Sequence, residues 1–192
     1  MSQVFAYEKF AFFSVLQSRI HEVWARFATA TFEDRVNYSL TDCFRSFPFP
    51  EGLQTCTPLE TVGHAYHDHR ASLMIERNEG LTKSYNRFHE RAETLTDILR
   101  LRELHAAMDV AVLSAYGWND LSDAARSEHL DNSNEDDHKY QGRYFWPSAF
   151  RDQVLARLLD LNAERAEAER RAGVAPVEAH DDEGDDGEGI DE

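Results

Sequence analysis

The sequence predicts a mainly α protein: a helical, bundle-like scaffold with one short strand near residues 35–40 and a disordered acidic C-terminal tail. Three observations lead to this fold class. Apolar residues recur at helical spacing in several long stretches. Hydrophobic residues make up 42% of the 192 residues, which is enough to build a real core. Residues 174–192 carry nine acids and neither Lys nor Arg, so we expect them to stay outside that core.

The first predicted helix extends from almost the first residue to Phe27. Its apolar residues follow at steps of four, four, three and four positions, which places them on one face. No capping segment precedes Tyr7, so we expect a chain cut from something longer, although a genuine short protein could begin in the same way. The apolar face holds Phe12, Leu16, Ile20, Val23 and Phe27. The polar face holds Gln17, Arg19, Glu22 and Arg26.

The segment after this helix is predicted to be extended. Arg35–Leu40 alternates enough for a short strand, which either pairs with residues outside this chain or is simply an extended loop. One helical turn is expected over Asp42–Ser46. Prolines then exclude a regular helix, so we expect the phenylalanines among them to dock on neighbouring elements. This motif is Phe47, Pro48, Phe49 and Pro50.

The second long helix has clear start and stop signals. Thr57 is the predicted N-cap, Pro58 occupies the first helical position, and Glu60 completes a capping box. We expect the helix to reach Asn78, because Glu79-Gly80 follows it. The segment 81–89, LTKSYNRFH, is predicted to be a packed linker.

Two further helices complete the fold. The third is predicted over Thr94–Tyr116, where apolar residues keep helical spacing until Gly117 stops it. A polar, acidic and mobile loop is expected over residues 121–141. The last helix has Pro147 in its first turn, continues as a charged Ala-rich stretch and is predicted to end at Gly173. We expect it to bury Phe150, Val154, Leu158 and Leu161.

Charge and cysteine content limit the class of protein. The net charge is −16, and nine of the acids lie in 174–192, so the first 173 residues carry −7. No basic footprint for nucleic acid is visible in the totals, and any DNA contact must be a local patch. Two cysteines, Cys43 and Cys56, are too few for a disulfide framework, and no signal peptide or membrane span is recognisable. We therefore expect a cytoplasmic protein with reduced thiols.

The motifs of common enzyme classes are missing from the sequence. It contains no Gly-rich phosphate loop, no Asn-Pro-Pro-aromatic tetrapeptide, which holds a flipped adenine in amino-methyltransferases, and no nucleophile elbow. We assign no catalytic residue and no metal ligand. His64, His67, Asp68 and His69 could bind a transition metal, but on a helix His69 points away from His64. A solvated or partly packed helix face is the preferred interpretation of this segment.

A set of basic, amide and aromatic residues is the candidate DNA-binding surface. Such side chains are the usual contacts to phosphates and base edges. The alternative is a loop with ordinary surface charges. The acidic tail could shield a basic surface or mimic DNA, or it could be a solubilising terminus. The candidate DNA contacts are Arg35, Asn37, Tyr38, Lys83, Tyr85 and Arg87.

Four segments, in this order, resemble the C-terminal part of large site-specific adenine DNA methyltransferases. They are FSVLQSRIHEVWARF (13–27), YSLTDCFRSFPFP (38–50), GLTKSYNRFH (80–89) and LRELHAAMDVAVLSAYGW (101–118). The family is that of MmeI-like, type IIG restriction–modification methylases and related phage-defence enzymes. The resemblance covers roughly residues 10–165 of this chain.

The resemblance implies a division of labour. An upstream Rossmann-type domain binds S-adenosylmethionine and methylates adenine, and a target-recognition domain follows it. Residues 1–50 would then close the recognition region, 51–173 would form a C-terminal helical domain, and 174–192 would be the tail. This chain would hold no cofactor and be inactive alone, with DNA and a methyltransferase catalytic domain or subunit as partners. The resemblance assigns a structural role to the Phe-Pro motif and to Leu104, His105, Asp109 and Tyr116.

A second function from another class stays open. The chain could be a free-standing helical module for protein–protein interaction or regulation, using its acidic tail. A fragment of a methyltransferase would depend on a partner and expose an apolar face on the first helix. A free-standing module would instead be a closed monomer without a large exposed apolar patch.

Overall fold

The computed structural model describes residues 9–29, 40–131, 135 and 137–173. Within these residues the fold is mainly α, as the sequence predicts. The predicted strand at 35–40 lies outside them except for Leu40, which begins a π-helical turn, Leu40–Arg45, where one helical turn was expected slightly later. The acidic segment 174–192 also lies outside the described residues.

The described elements are α-helices joined by short connections, together with one pair of two-residue strands that we call the hairpin. The hairpin is antiparallel, with Glu128 opposite Phe145. A 3₁₀ turn, Leu53–Thr55, follows the Phe-Pro motif. The elements are α1 (Phe10–Gln17), α2 (Arg19–Ala28), α3 (Thr57–Arg77), α4 (Leu81–His89), α5 (Thr96–Ala115), α6 (Asn119–Ala124), β1 (Glu128–His129), β2 (Tyr144–Phe145) and α7 (Ser148–Arg171).

The predicted first helix is two helices, because Ser18 interrupts it. Ser18 has extended backbone angles, and its hydroxyl donates to the Val15 carbonyl at 2.7 Å and accepts from the His21 N–H. The freed N–H of Arg19 donates to Asp109 of α5 at 2.9 Å. A side chain of a distant helix therefore replaces the intrahelical bond that a continuous helix would make.

The second long helix, α3, begins one position differently from the prediction. Cys56 occupies the N-cap position without a side-chain cap, so Thr57 does not cap and the predicted capping box is absent. The Glu60 carboxylate instead accepts the Ala11 N–H at the start of α1, at 2.9 Å. Asn78 ends α3 with a left-handed φ of 49°. Glu60 thus ties the N-terminal ends of α1 and α3 together.

The predicted linker 81–89 is a helix, α4, and the predicted loop 121–141 contains the end of α6 and all of β1. Arg102 of α5 stabilises the C-terminal end of α4. Its buried guanidinium donates to four backbone carbonyls, at 2.7 to 3.4 Å, at the C-terminal end of α4 and just beyond it. One side chain from another helix thereby supplies donors at a helix end, where few backbone N–H groups are left to pair with the carbonyls. The four carbonyls belong to Arg87, Phe88, Glu90 and Glu93.

Helix α5 lies between two groups of buried apolar residues. One group joins α1, α2, α5, α6, the hairpin and α7, and includes Trp24, Leu113, Trp146 and Leu158. The other joins α3, α4 and α5, and includes Tyr66, Leu73, Phe88, Ile98, Leu101 and Met108. The α5 prediction is confirmed apart from its ends, and Gly117 follows it with a φ of 77°. Residues before and after position 50, where the sequence analysis places a domain boundary, both contribute to the first group.

The apolar face predicted for the first helix is largely buried in the chain itself. Ile20 and Val23 are buried, and Phe12 and Leu16 are half-buried, while Phe27 is exposed. The exposed apolar face expected of a methyltransferase fragment is therefore not found on the described residues of this helix, except at Phe27. In α7, Val154 and Leu158 are buried as predicted, whereas Phe150 and Leu161 are half-buried. None of the described helices has both the length and the apolar character needed to cross a bilayer.

Candidate functional site

A buried ion pair between Arg19 and Asp109 connects α2 to α5. The Arg19 Nη1 donates to Asp109 Oδ2 at 2.6 Å, and the Arg19 backbone N–H donates to Oδ1 at 2.9 Å. Both side chains are 1% exposed. The Nδ1 of His105 lies 2.9 Å from Arg19 Nη1 and 3.3 Å from Asp109 Oδ2. This nitrogen accepts from Arg19 when it carries no hydrogen and donates to Asp109 when it carries one.

Aromatic rings enclose the Arg19 guanidinium. The ring centroids of Phe88, Tyr144 and Phe145 lie 5.4 to 5.7 Å from its central carbon. Arg19 Nη2 also donates to the Tyr144 carbonyl at 3.2 Å. Cation–π contacts of this kind are most favourable where water is excluded. Rings from α4 and from β2 therefore surround the cation that pairs with Asp109 of α5.

The electrostatics of this junction keep Asp109 charged. Burial alone would raise the pKa of its carboxyl, but His105, Arg19 and their hydrogen bonds outweigh burial and hold the pKa below its ordinary value. The carboxylate is enclosed by described residues, so a substrate could not reach it without local opening. Its geometry suits holding two helices in register better than proton transfer or nucleophilic attack.

A second polar layer continues from this junction toward the surface. Glu22 pairs with Arg143 at 2.9 Å and with Arg26 at 2.8 Å. Burial would raise the pKa of Glu22, but the two guanidinium groups outweigh it and lower the pKa. The Nδ1 of His89 accepts the Tyr144 N–H at 3.1 Å, and burial together with Arg143 lowers its pKa to about 3. His89 is therefore neutral at physiological pH.

The Phe-Pro motif packs against the first two helices, which confirms the expected docking of its phenylalanines. The Phe47 ring contacts His21 edge to face at 4.6 Å and Phe49 at 4.9 Å. Arg165 of α7 donates to the Phe49 carbonyl at 2.7 Å. Pro48 and Pro50 are buried. The motif thus bridges α2 and the later part of α7.

The other residues to which the resemblance assigns a structural role lie on or just after α5. His105 and Asp109 belong to the buried junction, and Leu104 packs half-buried against the α3–α4 group. Tyr116 stacks on Trp118 with ring centroids 4.5 Å apart. The Tyr116 hydroxyl is buried without a hydrogen-bond partner among the described residues, and burial raises its pKa.

The candidate DNA contacts separate into two sets. Arg35, Asn37 and Tyr38 lie outside the described residues. The others, Lys83, Tyr85 and Arg87, lie together on α4 but differ in surroundings.

Only Lys83 of the α4 set has a freely exposed head group. Its Nζ lies 3.2 Å from Glu79 and its side chain is 68% exposed. Arg87 is held by Glu79 and Glu93, and Tyr85 bonds the Tyr66 hydroxyl at 2.7 Å. The carboxylates balance the cations here, so this patch adds little attraction for phosphate.

A polar cleft of about 430 Å³ lies beside the end of α4, on the side facing the hairpin. No sequence motif marks this cleft, because the residues of its walls are far apart in the chain. The His129 Nε2 is buried without a hydrogen-bond partner among the described residues, and burial lowers the pKa of that ring. Arg91 donates to the His129 carbonyl and to Asp131. Asn86, His89, Glu90 and Gly142 line the rest of the cleft.

The histidine-rich segment of α3 is a surface feature. His64 and His67 both contact the Asp68 carboxylate, at 2.9 and 3.2 Å, and are about half exposed. His69 faces elsewhere and its Nε2 lies 2.8 Å from the Asp97 carbonyl. No group of three possible metal ligands occurs among the described residues. This placement fits the solvated helix face preferred from the sequence.

Arg19 is the residue of the junction that the sequence analysis misplaced. Its position in the helical repeat puts it on the polar face, yet it is as buried as the core. A sequence signal for its burial is lacking, because the partner Asp109 lies ninety positions later.

Comparisons with models of known protein families, with curated proteins and with solved structures find no match for this chain. The resemblance to adenine methyltransferases accordingly rests on the residues quoted above.

Proposed function

We propose that this chain is a non-catalytic scaffold that supports target recognition in an adenine-specific DNA methyltransferase system. One observation carries the proposal: three of the four segments that resemble such enzymes meet at the Arg19–Asp109 junction. Segment 13–27 supplies Arg19, segment 80–89 supplies Phe88, and segment 101–118 supplies His105 and Asp109. The fourth segment joins them through the contact of Phe47 with His21. The residues that carry the resemblance are thus framework residues.

The proposal assigns the chemistry to a partner. S-adenosylmethionine and the reacting adenine would be bound by a separate catalytic domain or subunit, since this sequence lacks the motifs that hold them. The system would belong to restriction–modification or phage defence and act in the cytoplasm, where its DNA is. The role left to this chain is to hold the recognition region in a fixed position.

The proposed partner is tested by measuring whether this chain associates with the product of the gene immediately upstream, called the upstream gene product below. The full chain and that product are co-expressed with a tag on only one of them. A complex that stays together in gel filtration and binds DNA more tightly than either component supports the proposal. Two folded proteins that elute separately at micromolar concentration contradict it.

The DNA contacts on α4 need their own test. If Lys83 contacts a phosphate in the complex, Lys83→Ala weakens binding to all DNA sequences alike. It also reduces, by about one, the steepness with which the logarithm of the binding constant falls with the logarithm of the salt concentration. Lys139→Ala is the matched control, because it removes one charge on the hairpin side of the chain. Equal effects of the two substitutions would exclude a specific contact at α4.

A free-standing interaction module is the second candidate, and the closed packing favours it. The exposed large hydrophobic residues of the described part come from five different elements, and α1 and α2 are covered by α3, α5 and α7. Such a module folds without a partner. Cooperative unfolding of the chain alone, together with no binding to the upstream product, would favour this function over the first.

A further inference from the structure

Helix α4 covers the buried junction with few buried side chains of its own. Of its nine residues, Ser84 and Phe88 are buried, whereas Leu81 is 48% exposed. The Phe88 ring centroid lies 5.5 Å from that of His105 and 5.7 Å from the central carbon of Arg19. Phe88 is thus the side chain through which α4 covers the junction. Elements with so little buried apolar surface open more readily than the core around them.

Polar contacts supply most of the remaining attachment of α4. Arg102 donates to the four carbonyls named above. The Tyr85 hydroxyl lies 2.7 Å from that of Tyr66. The Nδ1 of His89 accepts the Tyr144 N–H at 3.1 Å. Water replaces each of these bonds once the groups are exposed, so each stabilises the closed position only modestly.

Ion pairs inside segment 79–93, which contains α4, join its two ends. Arg87 of α4 pairs with Glu79 before the helix and with Glu93 after it, at 3.2 and 2.7 Å. The contact of Arg87 with Asp97 of α5 is longer, at 3.8 Å. Since both partners of the short pairs belong to the segment, these pairs persist when the segment moves as one body.

The borders of segment 79–93 permit such a movement. Gly80 is the N-cap of α4, and a Cβ at this position would meet no atom within 4 Å. Hinges are a few residues of this kind that absorb a change in backbone angles between packed elements. At the other border, the polar cleft of about 430 Å³ separates the end of α4 from the hairpin. Close packing is therefore interrupted on that side.

We propose that segment 79–93 is a lid that opens as a unit and uncovers the Arg19–Asp109 junction. Opening takes Phe88 away from Arg19 and His105 and admits water and small solutes to both. Helices α3 and α5 retain the other apolar residues of their shared group, which include Leu73, Ile98 and Met108. The closed lid excludes solutes from the buried charges, and the open lid admits them. The inference does not depend on the proposed function.

Thiol labelling of the full chain with N-ethylmaleimide tests the proposal. Ser84→Cys places a thiol of similar size on the buried face of α4, where the reagent reaches it only after opening. Val112→Cys, at a fully buried position of α5, is the matched control and reports unfolding of the bundle. Without urea, the first thiol should be labelled at least about tenfold faster than the second. Labelling of the half-buried Cys56 shows in both samples that the reagent has acted.

Urea separates opening of the lid from unfolding of the whole fold. Opening exposes less surface than unfolding does. The labelling rate of Ser84→Cys should therefore rise less steeply with urea concentration than that of Val112→Cys.

Modification of histidines by diethyl pyrocarbonate tests whether opening reaches the junction. Arg102→Lys weakens the attachment of the lid and should speed the modification of His105 by at least about threefold. His21, which is 4% exposed and packs on Phe47, is the internal control and should keep its rate.

Equal labelling rates of the two thiols, with the same dependence on urea, would overturn the proposal, because α4 would then open only when the whole fold unfolds. It would also be overturned if Arg102→Lys sped the labelling of Ser84→Cys but not the modification of His105. Should Ser84→Cys fail to fold, hydrogen exchange of the wild-type chain takes its place. The amides of α4 must then exchange faster, and with a shallower dependence on urea, than those of α5.

Discussion

Arg19 and Asp109 form an ion pair of 2.6 Å across ninety positions of sequence, and both side chains are 1% exposed. The carboxylate receives both the guanidinium and the backbone N–H of Arg19. The same contact ends the first helix at Ser18 and fixes α2 against α5. The interruption between α1 and α2 and the Arg19–Asp109 junction therefore have one physical cause.

Removing one partner of this ion pair should lower the stability of the fold. Arg19→Met leaves the Asp109 carboxylate buried without its cation, and we expect the free energy of unfolding to fall by about 3 to 5 kcal/mol. Urea unfolding measures this. The control is Arg100→Ala, which breaks the exposed pair with Glu103 and should cost less than about 1 kcal/mol. Equal losses for the two variants would show that Arg19 does not hold the fold.

The close approach of α1 and α3 at Gly63 gives a second prediction. A Cβ at this position would lie 2.6 Å from the Phe10 carbonyl oxygen and closer still to Ser14 Oγ. Gly63→Ala should therefore destabilise the fold by about 1 to 3 kcal/mol, although alanine is the better helix former. Gly80→Ala meets no atom within 4 Å and should change stability by less than about 1 kcal/mol. Thermal unfolding that ranks the two variants in the opposite order would contradict the packing.

Stability should decrease below neutral pH because of two buried histidines. Burial lowers the pKa of His21 to about 4 and that of His89 to about 3, from 6.5 in the unfolded chain. The unfolded state therefore binds more protons, and stability is lost as the pH falls from about 6.5 toward these values.

The expected loss is about 1 kcal/mol per histidine for each pH unit in this window. Urea unfolding at pH 7, 6 and 5 measures it, and comparison with a variant separates the histidine from the carboxyl groups that begin to titrate near pH 5. His89→Asn keeps an acceptor for the Tyr144 N–H but cannot be protonated, so its slope should be shallower by the contribution of one histidine, about 1 kcal/mol per pH unit. A variant with an unchanged slope would exclude His89 from the effect.

Arg102 should control the local stability of α4. Lysine keeps the charge but cannot reach four carbonyls, so Arg102→Lys is expected to cost about 1 to 3 kcal/mol. Hydrogen exchange should accelerate first at the amides of α4. Uniform acceleration along α3, α4 and α5 would instead mean that α4 does not open separately.

The sequence predicted those helices whose signals are local. The helices α3, α5 and α7 have an apolar repeat followed by Asn78, Gly117 or Gly173, and these residues do have positive φ angles. Helix α4 was predicted as a linker because Arg102, which satisfies its last carbonyls, belongs to α5. The break at Ser18 was missed for the same reason, since Asp109 accepts the freed N–H.

The junction was predictable only in part. His105, Asp109 and Phe47 came from the resemblance, whereas Arg19 was placed on a polar face, where most arginines lie. Its burial depends on a carboxylate and three rings brought from α4, α5 and β2, which helical periodicity cannot detect. The cleft around His129 joins α4 to the hairpin and has no sequence motif.

Methylation of DNA with labelled S-adenosylmethionine tests the proposed function most directly. The reaction is run with the full chain alone, with the upstream gene product alone, and with both. The scaffold role predicts label in DNA only in the mixture, and a lower rate when Arg19→Met replaces the wild-type chain. Label transferred by this chain alone, or by the upstream product at an undiminished rate without it, would contradict that role.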